Sequence, residues 1–173
     1  MIALDTNILI YASKQPHEAD PRGFHQSARE LISGFETQQK EKRVILPSLC
    51  LAEYLTQVPK SKRNAVLKSL ESWSFIAGFD AKAANITADM MRDVFEDWKK
   101  EKVNQPESDY AQRSRQIIKS DVIVLATAVA HGGTILYTTD EGVFSRLAGG
   151  RIDVKPLPLL EPMLFTALEL KPN

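Results

Sequence analysis

Four acidic residues, Asp5, Glu53, Asp121 and Asp140, have the type and placement to form one charged cluster. Asp5 is the most conspicuous, alone between apolar stretches in Met1–Tyr11 (MIALDTNILIY). Burying a lone ionised carboxylate costs several kcal/mol, so such a residue is paired, caps a helix, is neutralised or holds a cation. Convergent carboxylates without cations repel and raise one another's pKa, and a divalent cation removes that conflict. Oxygen-only ligands favour Mg²⁺ or Mn²⁺ over Zn²⁺, and a site of that kind suits phosphoryl chemistry.

Each acid also has a plainer role open to it. Asp5, Thr6 and Asn7 are all good caps for a helix through Ile8–Ala12, and Asp121 or the adjacent Ser120 can cap the helix that follows. Glu53 shares a helix face with Cys50, Thr56 and Gln57, away from Leu51, Leu55 and Val58, as a solvated glutamate would. Asp140 and Glu141 suit a turn and a first helical turn.

The elements that must position these acids alternate between short β-type runs and longer helical stretches, the pattern of a parallel sheet covered by helices in an α/β fold. Strands are expected at Ile2–Leu4, Arg43–Leu46, Trp73–Ala77, Thr134–Thr138 and Ile152–Lys155. Helices are expected at Phe24–Glu41, Ser48–Val58, Ser61–Ser72, Ala81–Lys102 and Asp121–His131, with a short one after Asp140. Asp5 and Asp140 then fall at carboxyl ends of strands, the edge where open α/β sheets bind ligands. Glu53 lies on a helix that starts at the same edge, and Asp121 is expected to start a central helix that is apolar all round and stops at Gly132 and Gly133. Asn104–Lys119, polar and carrying Pro106, reads as a surface excursion or insertion (residues 104–119), and residues 156–173 as a proline-extended tail.

The chain has 173 residues, 43% hydrophobic and 25% charged, which fits one domain spanning residues 1–173. Its 22 basic and 22 acidic residues cancel, so any basic patch for a polyanion must be local. One cysteine, Cys50, allows no internal disulfide, and with three scattered histidines (His17, His25, His131) it gives no zinc spacing. A cytoplasmic location fits, and no segment approaches membrane-spanning length.

The residues around all four acids resemble, in order, the motifs of PIN-domain ribonucleases, a family that includes the VapC-type toxins of VapBC toxin–antitoxin systems. Leu4–Tyr11 (LDTNILIY) resembles the opening motif, and Leu46–Leu55 (LPSLCLAEYL) the second. Asp121–Ala128 (DVIVLATA) resembles the third, and Leu136–Phe144 (LYTTDEGVF) the fourth. The resemblance implies a three-layer α/β/α sandwich with a short, mostly parallel five-stranded sheet. It implies a Mg²⁺- or Mn²⁺-dependent endoribonuclease, with Asp5 and Asp121 as direct ligands and Glu53 and Asp140 completing the site directly or through waters. Asn7 and Thr138 match positions that support the cluster by hydrogen bonding; turn chemistry at strand ends is their other reading. Metal-activated water would attack phosphorus in line and leave a 5′ phosphate and a 3′ hydroxyl.

Asn104–Lys119 is longer than the usual link in compact toxins of the family. Its Arg113, Arg115 and Lys119 are candidates for phosphate contacts on RNA, with Lys60, Lys62 and Arg63 as a second basic group; a solvated surface is the alternative for both. The family implies a cognate antitoxin as partner and commonly pairs as a homodimer, for which Pro156–Pro162 or the apolar helices are candidate surfaces. Two alternatives stand beside the toxin reading: a housekeeping RNA-processing nuclease, and a PIN-like module that binds RNA or protein with little cleavage. Other classes fit less well. A haloacid-dehalogenase-type phosphatase needs a second aspartate where Asn7 stands, a receiver domain needs an acidic pair at the first strand, and no Gly-rich nucleotide loop is present.

Overall fold

The computed structural model describes residues 1–15, 18–20, 22–37 and 44–158. Five strands, β1 (Ile2–Leu4), β2 (Val44–Pro47), β3 (Ser74–Ala77), β4 (Ile135–Thr138) and β5 (Asp153–Pro156), form one sheet in the order β3-β2-β1-β4-β5. Every neighbouring pair is parallel, so the sheet is wholly rather than mostly parallel. Parallel neighbours need crossovers, and helices supply them. Among the described residues these are α1 (Thr6–Ser13), α2 (Phe24–Thr37), α3 (Ser48–Thr56), α4 (Arg63–Trp73), α5 (Ala81–Asn104), α6 (Asp109–Gln112), α7 (Arg115–Ala130) and α8 (Glu141–Ala148), with a 3₁₀ turn at Lys60–Lys62.

Side chains alternate across a strand, and the two apolar clusters follow that period. Ala3, Ile45 and Leu136 face a cluster filled by Met90 and Val94 of α5, Ile118 and Leu125 of α7, and Phe144 and Leu147 of α8. Ile2, Leu4, Val44, Leu46 and Tyr137 face the opposite cluster, filled by Ile8 and Leu9 of α1, Ala28 of α2, and Leu70 and Trp73 of α4. The result is the expected three-layer arrangement, helices on both faces of a short sheet.

The strand order carries the functional consequence. From β1 the chain builds β2 and β3 on one side, then returns to lay β4 and β5 on the other. The order therefore reverses between β1 and β4, and the carboxyl ends of those strands border the crevice where such sheets bind ligands.

Several expectations are corrected or refined. Asp121 does not start its helix: α7 begins at Arg115, capped by Ser114, whose hydroxyl accepts from the Ile117 amide at 3.2 Å. The polar first turns hid that start, although Ile118 within them is completely buried. Asp121 thus projects from the body of the helix and is not its cap. Asn104–Lys119 is largely exposed, as a surface excursion would be, and it is helical for much of its length, holding the end of α5, all of α6 and the start of α7. Tyr110 and Ala111 anchor it in the interior, and the Tyr110 hydroxyl donates to the Val94 carbonyl at 3.3 Å. The first helix begins at Thr6, ahead of the expected Ile8, because the Asp5 carboxylate accepts from the Thr6 amide at its first turn. The second strand runs from Val44 through Pro47, and Pro156 of the expected tail ends β5; Arg43 of the expected strand, residues 38–41 of the expected helix Phe24–Glu41 and residues 159–173 of the expected tail lie outside the described residues. The stop after α7 is as expected: Gly132 has φ +83°, and a side chain at Gly133 would sit 2.8 Å from the Ala128 carbonyl oxygen.

Candidate active site

The register of β1 against β4 builds the site. Ala3 pairs with Leu136 and Leu4 with Tyr137, so Asp5 follows one strand beside Thr138 at the end of the other. The Asp5 amide continues the ladder by donating to the Tyr137 carbonyl at 3.0 Å. Asp5 is only 5% exposed, and its carboxylate accepts from the Thr6 backbone amide (2.7 Å) on Oδ1 and from the Thr138 hydroxyl (2.9 Å) on Oδ2; the Asn7 side-chain Nδ2 stands 3.5 Å from Oδ2. Asp5 therefore caps α1 and belongs to the acid cluster at once.

Thr138 is completely buried and links two acids: while donating to Asp5, its hydroxyl accepts from the Asp140 amide at 3.1 Å. Asp140 precedes α8 in the cap position, yet its side chain makes no capping bond. Its carboxylate instead meets the Arg113 guanidinium through Nη2. The same guanidinium donates from Nη1 to Asp121 Oδ2 at 3.0 Å. Glu53 joins through Thr6, whose Oγ1 donates to Glu53 Oε2 at 2.5 Å. Hydrogen bonds and one forked ion pair thus connect Glu53, Thr6, Asp5, Thr138, Asp140, Arg113 and Asp121 in sequence.

The electrostatics are strained. Burial pushes the Asp5 carboxyl above the ordinary carboxylate range; bonds from Thr138 and Thr6 pull it back in part, and the Glu53 charge adds to the rise. Burial also raises Asp121 from 3.8 to about 7. The attraction of Arg113 opposes that rise without cancelling it, and the charges on Asp5 and Glu53 reinforce it. The fully buried Cys50 thiol is pushed up by the same burial and the same two acids, so it stays a thiol beneath the cluster.

All four candidate acids thus belong to one connected group, and both Thr138 and Asn7 have side chains beside the Asp5 carboxylate. Among the basic candidates, Arg113 engages the acids themselves; Arg115 lies over the Phe95 ring, 4.7 Å from its centroid, and Lys119 is half-buried on α7. Two named residues take a different part from the one the sequence suggested: Thr6, read as a helix cap, bonds Glu53, and Arg113, read as a phosphate contact, pairs with Asp121 and Asp140. Thr6 is flagged only by its place between Asp5 and Asn7. Arg113 is flagged by nothing local, because its partners lie 8 and 27 residues away.

The donor set fits a hard divalent cation in kind: acidic oxygens and hydroxyls, too much negative charge for one guanidinium, and no nitrogen or sulfur ligand in the connected group. As the side chains stand, no group of three or more acids, histidines or cysteines among the described residues is arranged to hold an ion. Arg113 is the group found between Asp121 and Asp140.

Fold and site together define a parallel α/β protein with a connected acidic group at the sheet edge where its strand order reverses. The PIN domain family matches residues 2–150, and the chain belongs to that family, whose members are generally nucleases. The fold is similar to a crystal structure of VapBC2 from Rickettsia felis bound to a DNA fragment from its promoter, with a TM-score of 0.56 and 19% identity, covering 91% of this chain and 100% of that one. It is similar as well to a DNA-bound VapBC from Salmonella typhimurium, with a TM-score of 0.57 and 19% identity, covering 91% and 98%. A comparison with curated proteins finds no match. No helix among the described residues is long and apolar enough to cross a membrane.

Proposed function

We propose that this PIN-domain protein is a Mg²⁺- or Mn²⁺-dependent endoribonuclease, the toxin of a toxin–antitoxin pair. One observation carries the nuclease reading: Asp5, almost wholly buried at the switch point of the sheet, is wired through Thr138 and Thr6 to the two strand- and helix-borne acids Asp140 and Glu53. A capping role alone would need only the Thr6 amide.

In this reading Asp5 and Asp121 hold the cation directly, and Glu53 and Asp140 complete its surroundings directly or through waters. When bound, the cation supplies positive charge to the scissile phosphodiester and lowers the pKa of an attacking water. The chain's own contributions are positional. Thr138 fixes Asp5 and the Asp140 backbone together, Thr6 fixes Glu53 to the first turn of α1, and burial keeps Asp5 and Asp121 poorly solvated so that they favour a cation over water. The toxin assignment draws on the likeness to VapBC complexes, and a cognate antitoxin is the partner it implies.

The test is cleavage of a mixed-sequence single-stranded RNA by purified protein with Mg²⁺ or Mn²⁺, by wild type and Asp5→Asn, with and without chelator. Cleavage by wild type that is lost on either change supports the reading; undiminished cleavage by Asp5→Asn sinks it. Growth arrest on expression, relieved by a small protein encoded next to the gene, separates a toxin from a housekeeping enzyme.

A further inference from the structure

One guanidinium stands where the cation of the proposed nuclease would have to find two of its carboxylates. Arg113 directs Nη1 to Asp121 and Nη2 to Asp140, and its side chain is only 22% exposed. Its backbone is held on both sides. The Arg113 amide donates to the Tyr110 carbonyl at 3.3 Å beside the buried Tyr110, and the next residue, Ser114, caps α7. The backbone at Arg113 is extended (φ −62°, ψ 139°) between two helices, so the side chain can leave the acids by rotating its own bonds while α6 and α7 stay in place.

We propose that Arg113 is an exchangeable internal counter-ion. It holds Asp121 and Asp140 while no metal ion is bound and competes with the ion for both carboxylates, and so sets the protein's cation affinity. This rests on the metal-dependent reading above. The fork matters as well as the charge, because two separate Nη groups bridge two acids, which a single lysine ammonium does not reproduce. Once displaced, the guanidinium stands beside the cluster as a free cation.

A merely structural Arg113 makes the opposite prediction. If it served to align the acids for the ion, removing it would scatter them and weaken binding. If it competes, removing it frees two carboxylates and takes a positive charge away from the ion.

The experiment is Mn²⁺ titration of the purified, RNA-free protein by calorimetry, with circular dichroism to confirm folding, for wild type, Arg113→Gln, Arg113→Lys and Arg113→Gln/Asp121→Asn. Competition predicts that Arg113→Gln binds Mn²⁺ at least about tenfold more tightly than wild type, the effect expected for deleting one partly desolvated charge next to the ion. Arg113→Lys should fall between them, and the double variant should lose the gain. Equal or weaker binding by Arg113→Gln, with wild type binding normally, overturns the counter-ion proposal and leaves the metal reading standing. No binding by wild type or either single variant overturns both. If Arg113→Gln does not fold, Arg113→Lys decides alone: tighter binding than wild type supports competition, and unchanged or weaker binding refutes it.

Discussion

Two arginines in this protein are clamped between pairs of acids, with opposite consequences. At the surface, Arg146 of α8 bonds Asp97 (2.6 Å from Nε) and Glu101 (3.0 Å from Nη2) of α5 and lies over the Tyr110 ring, 4.2 Å from its centroid. At the sheet edge, Arg113 bonds Asp121 and Asp140. The bond from Arg146, helped by Ser108, holds the Glu101 carboxyl below its ordinary value, whereas Asp121 is pushed up to about 7 with an arginine just as close. What differs is the set of groups around each acid. Glu101 accepts from both Arg146 and Ser108, and those bonds outweigh the cost of its burial. Asp121 has one guanidinium against its own burial and the charges of Asp5 and Glu53, so that guanidinium is too little. The surface clamp is closed on itself; the buried one has an unmet demand for positive charge.

The sharpest break between the two clamps should come from neutralising one acid in each. Asp121→Asn is expected to reduce metal-dependent RNA cleavage on the order of a hundredfold or more, while Asp97→Asn leaves it within about twofold. Matched cleavage assays check this, and similar losses in both would dissolve the distinction. In metal-free buffer at pH 8, Asp121→Asn should also raise the thermal midpoint, because it removes a carboxylate that the fold holds ionised at a cost.

A smaller effect is expected from the hydroxyl that links the acids. Thr138→Val leaves the Asp140 amide without its acceptor and one Asp5 oxygen without its strongest donor, so stability should fall by about 1–3 kcal/mol in denaturant unfolding. Without that bond the Asp5 carboxyl should rise further, weakening cation binding near neutral pH; an unchanged Mn²⁺ affinity would show that Thr138 only packs.

The pH dependence of the metal-free protein follows from the raised acids. A carboxyl whose pKa is higher in the folded than in the unfolded state stabilises the fold below its unfolded value and loses that contribution as pH climbs through the folded value. For Asp121 the window runs from about 3.8 to about 7, with Asp5 shifted in the same direction. This component of stability should therefore decline across that window, and saturating Mn²⁺ should flatten the decline. Melting curves from pH 4 to pH 8, with Asp121→Asn as reference, isolate it. The smallest change should come from the surface clamp. Arg146→Gln is expected to move the thermal midpoint by no more than about 3 °C, an effect shrinking in high salt, with Mn²⁺ binding untouched.

The contrast between the clamps also marks what the sequence could disclose. Most strands were legible because they are short apolar or β-branched runs, and Asp5 stood out because its neighbours are apolar on both sides. Glu53 and Asp140 followed from their places after strands. Arg113 was not legible as a partner of the acids, since its position depends on how α6 and the first turns of α7 fold back over the edge, and a polar stretch with Pro106 reads locally as a loop. The start of α7 was missed for the same reason. Its cap, Ser114, opens a turn too polar to register as part of the apolar run, and only the burial of Ile118 reveals the true length. The bond from Thr6 to Glu53 was not legible, because a threonine beside a capping aspartate has an ordinary explanation in the cap itself.

The central claim is that burial of Asp5 and Asp121 beside Glu53 creates a demand for positive charge that a metal ion meets, and the most direct measurement is proton release on Mn²⁺ binding to the wild-type protein. Calorimetry near pH 6.5 in buffers of different ionisation heats should show release approaching about one proton, because an acid with a pKa of about 7 must ionise to act as a ligand, and affinity should strengthen from pH 6 to pH 8. Binding of equal strength at both pH values with no proton released, or no binding at either, would contradict the account.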